Sequence, residues 1–201
     1  MSDIVQEMRA KVAYYFRYQL QCPLVAIEAN TLLTSFNSGG QADVMAINKK
    51  RQVIEVEIKT SIADMRKDIH KPKHYWLWRD HFDEQPSDDM FERRPLWKRE
   101  RRRASAIGLG ISRPACHLFY FAVPPDLVNK AREVCDELYP YAGLLAVDRK
   151  MDRALYYITT AKKAKVYKRE KASPQQLVRM AREMSATVCR LAMDLAGVER
   201  L

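Results

Sequence analysis

Long apolar runs are missing from this sequence of 201 residues. Even its longest uninterrupted apolar stretches, such as the one at 141–147, are short. A helix that crosses a bilayer needs about 20 such residues, so we do not expect a membrane protein. The first residues, Met1-Ser2-Asp3, do not begin a signal peptide. We therefore expect a soluble protein of the cytoplasm.

Cysteine pairs are also missing, since the four cysteines form no C-x-x-C motif. Their scatter argues against a zinc cluster, a thioredoxin-like site and a disulfide framework. Glycine and proline are few, at 6 and 9 residues, which excludes fibrous and low-complexity classes. We expect one globular domain that spans residues 1–201.

Several catalytic motifs are absent. The sequence has no Walker or dinucleotide glycine motif and no G-x-S-x-G, so neither nucleotide-driven work nor serine hydrolysis is predicted. His70 and His74 are four residues apart, but Pro72 lies between them and no H-E-x-x-H is present, so a zinc site is not predicted.

Positive charge, by contrast, is in excess, because 35 Lys and Arg against 25 Asp and Glu give a formal net charge of +10. This excess favours a polyanionic partner.

Hydrophobic periodicity predicts an α/β fold with a mixed central sheet flanked by helices. The helix from 61 to about 78 is expected to be interrupted by Pro72, and the last helix has a capping-box start at Ser173. Helices are predicted at 2–21, 61–78, 126–138 and 174–197, and strands at 23–30, 42–47, 52–59, 117–123, 141–147 and 154–159.

An irregular insertion is predicted at about 81–111, where no hydrophobic period is found. Such a stretch inside a domain is either an active-site lid or a mobile insertion. Seven of the eleven residues in 93–103 are cationic, which suits phosphate groups, and the one tryptophan among them could stack on a base. A second basic run, at 162–171, could flank the same groove. The candidate nucleic-acid contacts are Arg93, Arg94, Trp97, Lys98, Arg99, Arg101, Arg102 and Arg103.

The most specific pattern is an acid on one predicted strand, Asp43, followed by Glu55-Val56-Glu57-Ile58-Lys59 on the next. Side chains alternate along a strand, so Glu55, Glu57 and Lys59 should share one face. If the two strands form a hairpin, Asp43 comes to lie beside Glu57. Paired carboxylates are ligands for Mg²⁺ or Mn²⁺, the Ile58 carbonyl could add an oxygen, and Lys59 could orient water. The alternative is a solvated strand face with ordinary cross-strand ion pairs.

This pattern resembles the PD-(D/E)xK nuclease superfamily, and in particular a phage and bacterial group related to MmcB-like DNA repair proteins. The resemblance rests on Gln41-Ala42-Asp43-Val44 and on residues 55–61, followed by Asp64, Asp68, Lys71, Lys73 and His74. It implies a restriction-endonuclease-like fold with Asp43 and Glu57 as metal ligands and Lys59 as the catalytic lysine. Ala42 replaces the proline of the superfamily's name.

Other residues of this region are candidates with two interpretations. Glu55, Glu28 and Glu7 could supply a further acid to the site, or could be ordinary strand-end and surface carboxylates. His74 is either structural or a phosphate contact, and Lys71 and Lys73 are grouped with it as candidate nucleic-acid contacts.

Three functions follow from these patterns. The first is a Mg²⁺-dependent deoxyribonuclease in DNA repair, recombination or phage DNA processing, in the cytoplasm of a bacterium or of a phage's host. The second is a nucleic-acid-binding module of the same fold without turnover, which would keep its function in EDTA. The third is a scaffold whose acidic face pairs with a basic partner. A homodimer is compatible with all three.

Overall fold

The computed structural model describes residues 3–30, 41–71, 73–74, 77–78, 81, 116–148 and 158–197. The basic run at 93–103 and nearly all of the predicted insertion lie outside the described residues.

A six-stranded mixed sheet forms the centre of the domain, with its strands side by side in sequence order. Neighbouring strands are antiparallel from β1 to β3, parallel from β3 to β5, and antiparallel again at β6. The predicted mixed sheet is therefore confirmed. The strands are β1 (Leu24–Asn30), β2 (Gln41–Ile47), β3 (Val53–Ile58), β4 (Leu118–Val123), β5 (Gly143–Val147) and β6 (Ile158–Lys162).

Four α-helices whose bounds lie in the described part of the chain flank the sheet, and none of them is long and apolar enough to cross a bilayer. The last begins with a capping box, in which Ser173 Oγ accepts from the Gln176 N–H and the Gln176 side chain accepts from the Ser173 N–H. This confirms the predicted capped C-terminal helix. The helices are α1 (Asp3–Tyr14), which continues into a π-helical turn (Tyr15–Gln19), α2 (Ile62–Asp68), α3 (Val128–Leu138) and α4 (Pro174–Leu195).

Two elements differ most from their predicted bounds. Helix α2 ends at Asp68, four residues before Pro72, and the chain turns at residues 69–70. The predicted interruption is therefore present, and it begins at Ile69, before Pro72 is reached. Strand β6 (Ile158–Lys162) pairs with β5, Ile158 lying opposite Val147, and residues 154–157 of the predicted strand lie outside the described residues. The prediction of a strand at 154–159 was wrong about its end, because the strand continues to Lys162.

The sheet has a hydrophobic core on each face. On one face, here called the α1 face, Met8, Val12 and Phe16 pack with Val56 and Ile58. On the other, here called the α3 face, the core is built from β4, from α2 and from α3 and α4, with Phe119, Phe121, Met65, Val134 and Met180 among its members. Because β3 alternates, the side chains of Glu55 and Glu57 point to the α3 face.

Candidate functional site

The candidate site begins where β3 ends. The Lys59 N–H bonds the Ala122 carbonyl at 2.9 Å, which extends the parallel pairing of β3 with β4 by one residue. Lys59 Nζ consequently lies 3.8 Å from Glu57 Oε2, on the α3 face. The predicted shared face of Glu55, Glu57 and Lys59 is therefore observed.

Two further lysines reach this face from the chain that follows α2. Lys73 Nζ lies 2.5 Å from Glu55 Oε1 and also donates to Glu57 Oε1. Lys71 Nζ lies 2.8 Å from Glu57 Oε2. Both carboxylate oxygens of Glu57 thus accept from an ammonium group.

Asp68, at the end of α2, connects the lysines to a buried histidine. Its Oδ1 lies 2.6 Å from Lys59 Nζ and 2.7 Å from Lys71 Nζ, and its Oδ2 lies 2.7 Å from His74 Nε2. His74 Nδ1 lies 2.7 Å from the Tyr141 hydroxyl. A neutral imidazole protonated on Nε2 satisfies both contacts, because it donates to Asp68 and accepts from Tyr141. We call Glu55, Glu57, Lys59, Asp68, Lys71 and Lys73 the lysine–carboxylate cluster.

Burial and charge shift the protonation of this cluster. Burial alone lowers the pKa of Lys73, but Glu55 and Glu57 raise it overall, so the ammonium group stays charged. For Glu57 burial favours the neutral acid, yet the charge of Lys73 lowers its pKa. Burial raises the pKa of Glu55 against the charge of Lys73. Burial also lowers the pKa of His74 to about 4, which keeps the imidazole neutral near pH 7.

Asp43 belongs to a second cluster. Its Oδ1 accepts from Arg9 Nε at 2.9 Å, and Arg9 also forms an ion pair with Glu28. Its Oδ2 accepts from the Ile58 N–H at 2.8 Å, so the carboxylate lies beside the end of β3. Glu28 has a φ of 53°, a strained conformation for a glutamate in a strand. We call Arg9, Glu28 and Asp43 the Arg9 cluster.

The predicted site residues are therefore distributed over two ion-pair clusters. Glu57, Lys59 and Glu55 come together, whereas Asp43 contacts Arg9 and the backbone next to Glu57. Glu7 pairs with Lys11 at 2.6 Å. Lys73 and His74, predicted as candidate nucleic-acid contacts, are 8% and 0% exposed. That prediction is corrected, because neither side chain can reach a phosphate from inside the core.

Sequence reasoning missed the partners that neutralise these carboxylates. Arg9 lies next to Met8 within the buried stripe of α1, and a cation in that position was a signal for a buried acid. Asp68 was noted in the pattern without a role, and Tyr141 was counted only as part of a strand. The contacts that join these residues span 34 and 67 positions, which no local spacing reveals.

The donor set does not fit a divalent metal as it is held here. Carboxylates are the ligands that Mg²⁺ prefers, but both oxygens of Asp43 and both of Glu57 already accept from nitrogen donors. Within the described ranges, no group of three or more His, Cys, Asp or Glu is arranged to hold a metal ion.

A cationic segment packs against the α3 face through Tyr167. Residues 163–171, called the basic segment below, connect β6 to α4 and are fixed by backbone hydrogen bonds. The Lys165 N–H bonds the Tyr141 carbonyl at 3.0 Å, and the Tyr167 N–H bonds the His117 carbonyl at 2.9 Å. The exposed cations of this segment are Lys163, Lys165, Lys168 and Lys171.

Comparison with known proteins gives one family match. The family described as DNA repair protein MmcB-like matches residues 16–86, which include β1 to β3, α2 and the lysine–carboxylate cluster. No curated protein matches the chain. A solved structure, the SPO1766 protein of unknown function from Silicibacter pomeroyi, is similar at 19% identity and a TM-score of 0.49, over 95% of this chain and 90% of that chain.

Proposed function

We propose that the protein binds DNA through exposed cations and keeps its acid and E-x-K pattern as a buried, ion-paired cluster, without turnover. The observation that carries this proposal is the basic segment, whose backbone is fixed by hydrogen bonds while its Tyr167 side chain packs in the core of the α3 face. The match of residues 16–86 to a DNA repair family supports DNA as the polyanion.

The basic segment suits a phosphate backbone for two reasons. Its backbone is tied to Tyr141, His117 and, through the Ala172 N–H at 2.9 Å, to the Arg51 carbonyl. Its lysine side chains nevertheless remain in water. Because the backbone of the segment is already ordered, less conformational entropy is lost when the segment binds DNA. Each phosphate that a lysine neutralises also releases counterions, which favours binding.

A Mg²⁺- or Mn²⁺-dependent nuclease is the second candidate, favoured by two contacts. Glu57 and Lys59 lie 3.8 Å apart, and Asp43 bonds the N–H of Ile58, the residue between them. Asp43, Glu57 and the Ile58 carbonyl would be the ligands and Lys59 the catalytic lysine. This function requires the carboxylate oxygens to exchange their present cation partners for metal.

Binding to fluorescently labelled duplex DNA, measured by anisotropy in EDTA across a salt series, tests the proposal. We expect the triple variant of Lys163, Lys168 and Lys171 to alanine to bind more weakly. Its plot of log affinity against log salt should become less steep by up to roughly 0.9 for each phosphate that the variant no longer neutralises. The matched control replaces Arg17, Lys49 and Lys50, three exposed cations elsewhere on the domain. Equal losses of affinity in both variants would contradict a specific role for the basic segment.

The same DNA incubated with Mg²⁺ or Mn²⁺ separates the two candidates. A DNA-binding protein without turnover leaves the duplex intact with either metal. Cleavage that disappears in Asp43→Ala and Glu57→Ala would establish the nuclease instead.

A further inference from the structure

We infer that the Lys73 ammonium group is the resident cation of the lysine–carboxylate cluster, bound between Glu55 and Glu57, where it excludes a divalent ion from these two carboxylates. The cluster would then be complete without metal.

Lys73 is held on three sides. Its Nζ contacts Glu55 Oε1 and Glu57 Oε1, and it lies 5.3 Å from the centroid of the Phe119 ring, within reach of a cation–π interaction. The three charged side chains are 8%, 6% and 3% exposed. A buried side chain with this many partners cannot move aside at low cost.

Lys71 shows the contrast within the same cluster. It also contacts Glu57, at 2.8 Å, but its side chain is 40% exposed. A lysine in that position can exchange with ions from solvent, whereas Lys73 can be displaced only if the core opens. Lys73 is therefore the cation that keeps metal out.

The charges of the cluster balance without any bound ion. Glu55, Glu57 and Asp68 carry three negative charges, and Lys59, Lys71 and Lys73 carry three positive charges. A divalent ion added to this set would leave two positive charges in excess inside a low-dielectric core, where uncompensated charge is costly. It would also have to compete with a lysine nitrogen at whichever oxygen of Glu57 it bound, because both oxygens accept from lysines.

Mn²⁺ binding, measured by electron paramagnetic resonance on the full chain without DNA, tests this inference. We expect no saturable site tighter than about 1 mM in the parent. Lys73→Ala should gain one such site, at least tenfold tighter than any residual binding in the parent, and its melting temperature should rise with Mn²⁺. The triple variant Lys73→Ala, Glu55→Gln, Glu57→Gln should not show this gain. Lys67→Ala, which removes an exposed lysine of α2, is the matched control.

Saturable Mn²⁺ binding by the parent that Glu57→Gln abolishes would overturn the inference, and this measurement does not depend on the folding of any Lys73 variant. A folded Lys73→Ala protein that gains no site would also overturn it. Metal binding is measured without DNA, and DNA binding is measured in EDTA. The inference about Lys73 and the proposed DNA-binding function can therefore be contradicted independently of each other.

Discussion

The lysine–carboxylate cluster and the Arg9 cluster neutralise their acids in different ways. In the first, three lysines from the residue after β3 and from the chain after α2 surround carboxylates that are at most 6% exposed. In the second, one guanidinium group from α1 serves two carboxylates that are 15% and 23% exposed. The difference shows that the residues of one sequence pattern, an acid followed by E-x-K, lie in two separate clusters. Glu57 and Lys59 belong to the buried cluster, and Asp43 belongs to the partly solvated one.

Replacing Lys73 with methionine should have the largest effect on stability. The change leaves Glu55 and Glu57 buried without a counter-charge, which costs about 3–5 kcal/mol of unfolding free energy. Lys71→Met removes the ion pairs of a partly solvated lysine with Glu57 and Asp68 and should cost less, about 1 kcal/mol. Urea denaturation near pH 7 measures both. Equal decreases in stability would mean that burial does not distinguish the two lysines.

Replacing Arg9 with methionine should have an intermediate effect. Asp43 and Glu28 are deprived of their shared partner but keep some water, so we expect a decrease of about 2–3 kcal/mol in unfolding free energy. Arg17→Met, at an exposed position of the π-helical turn, is the control and should change little. A larger decrease in unfolding free energy for Arg9→Met than for Lys73→Met in the same assay would mean that the Arg9 cluster is the less solvated of the two.

Acid should weaken the lysine–carboxylate cluster through His74. The folded imidazole takes up a proton near pH 4 and the unfolded one near 6.5, so the unfolded state binds more protons between these values. Stability therefore falls as the pH is lowered through this window, by about 2 kcal/mol between pH 7 and pH 5. The raised pKa of Glu55 acts in the opposite sense, but it is common to the parent and to His74→Gln. Urea denaturation of both proteins across the window should give a smaller slope for the variant, and equal slopes would exclude His74 as the source.

The elements of the fold were largely predictable because their signals are local. Alternation placed Glu55 and Glu57 on one face of β3, and Ser173 with Gln176 marked the start of α4. The hairpin spacing also brought Asp43 to the end of β3. The ion pairs that bring Lys73 to Glu55 and Arg9 to Asp43 were not predictable, because each depends on a contact between residues 18 or more positions apart that sequence spacing does not encode. Lys71 and Lys73 were assigned to phosphate since a lysine next to a basic insertion has the same sequence signature whether it faces water or a buried glutamate.

Strands β3 and β4 are neighbours in the sheet, yet residues 59–117 separate them along the chain. The antiparallel strands β1 to β3 have short-range partners, so they can pair before that long connection closes. Phe119, which lies beneath Lys73, arrives only with β4. We therefore expect the charged groups of β3 to remain hydrated during the early stages of folding, so that the cost of removing their water is deferred until the apolar half of the sheet is available to offset it.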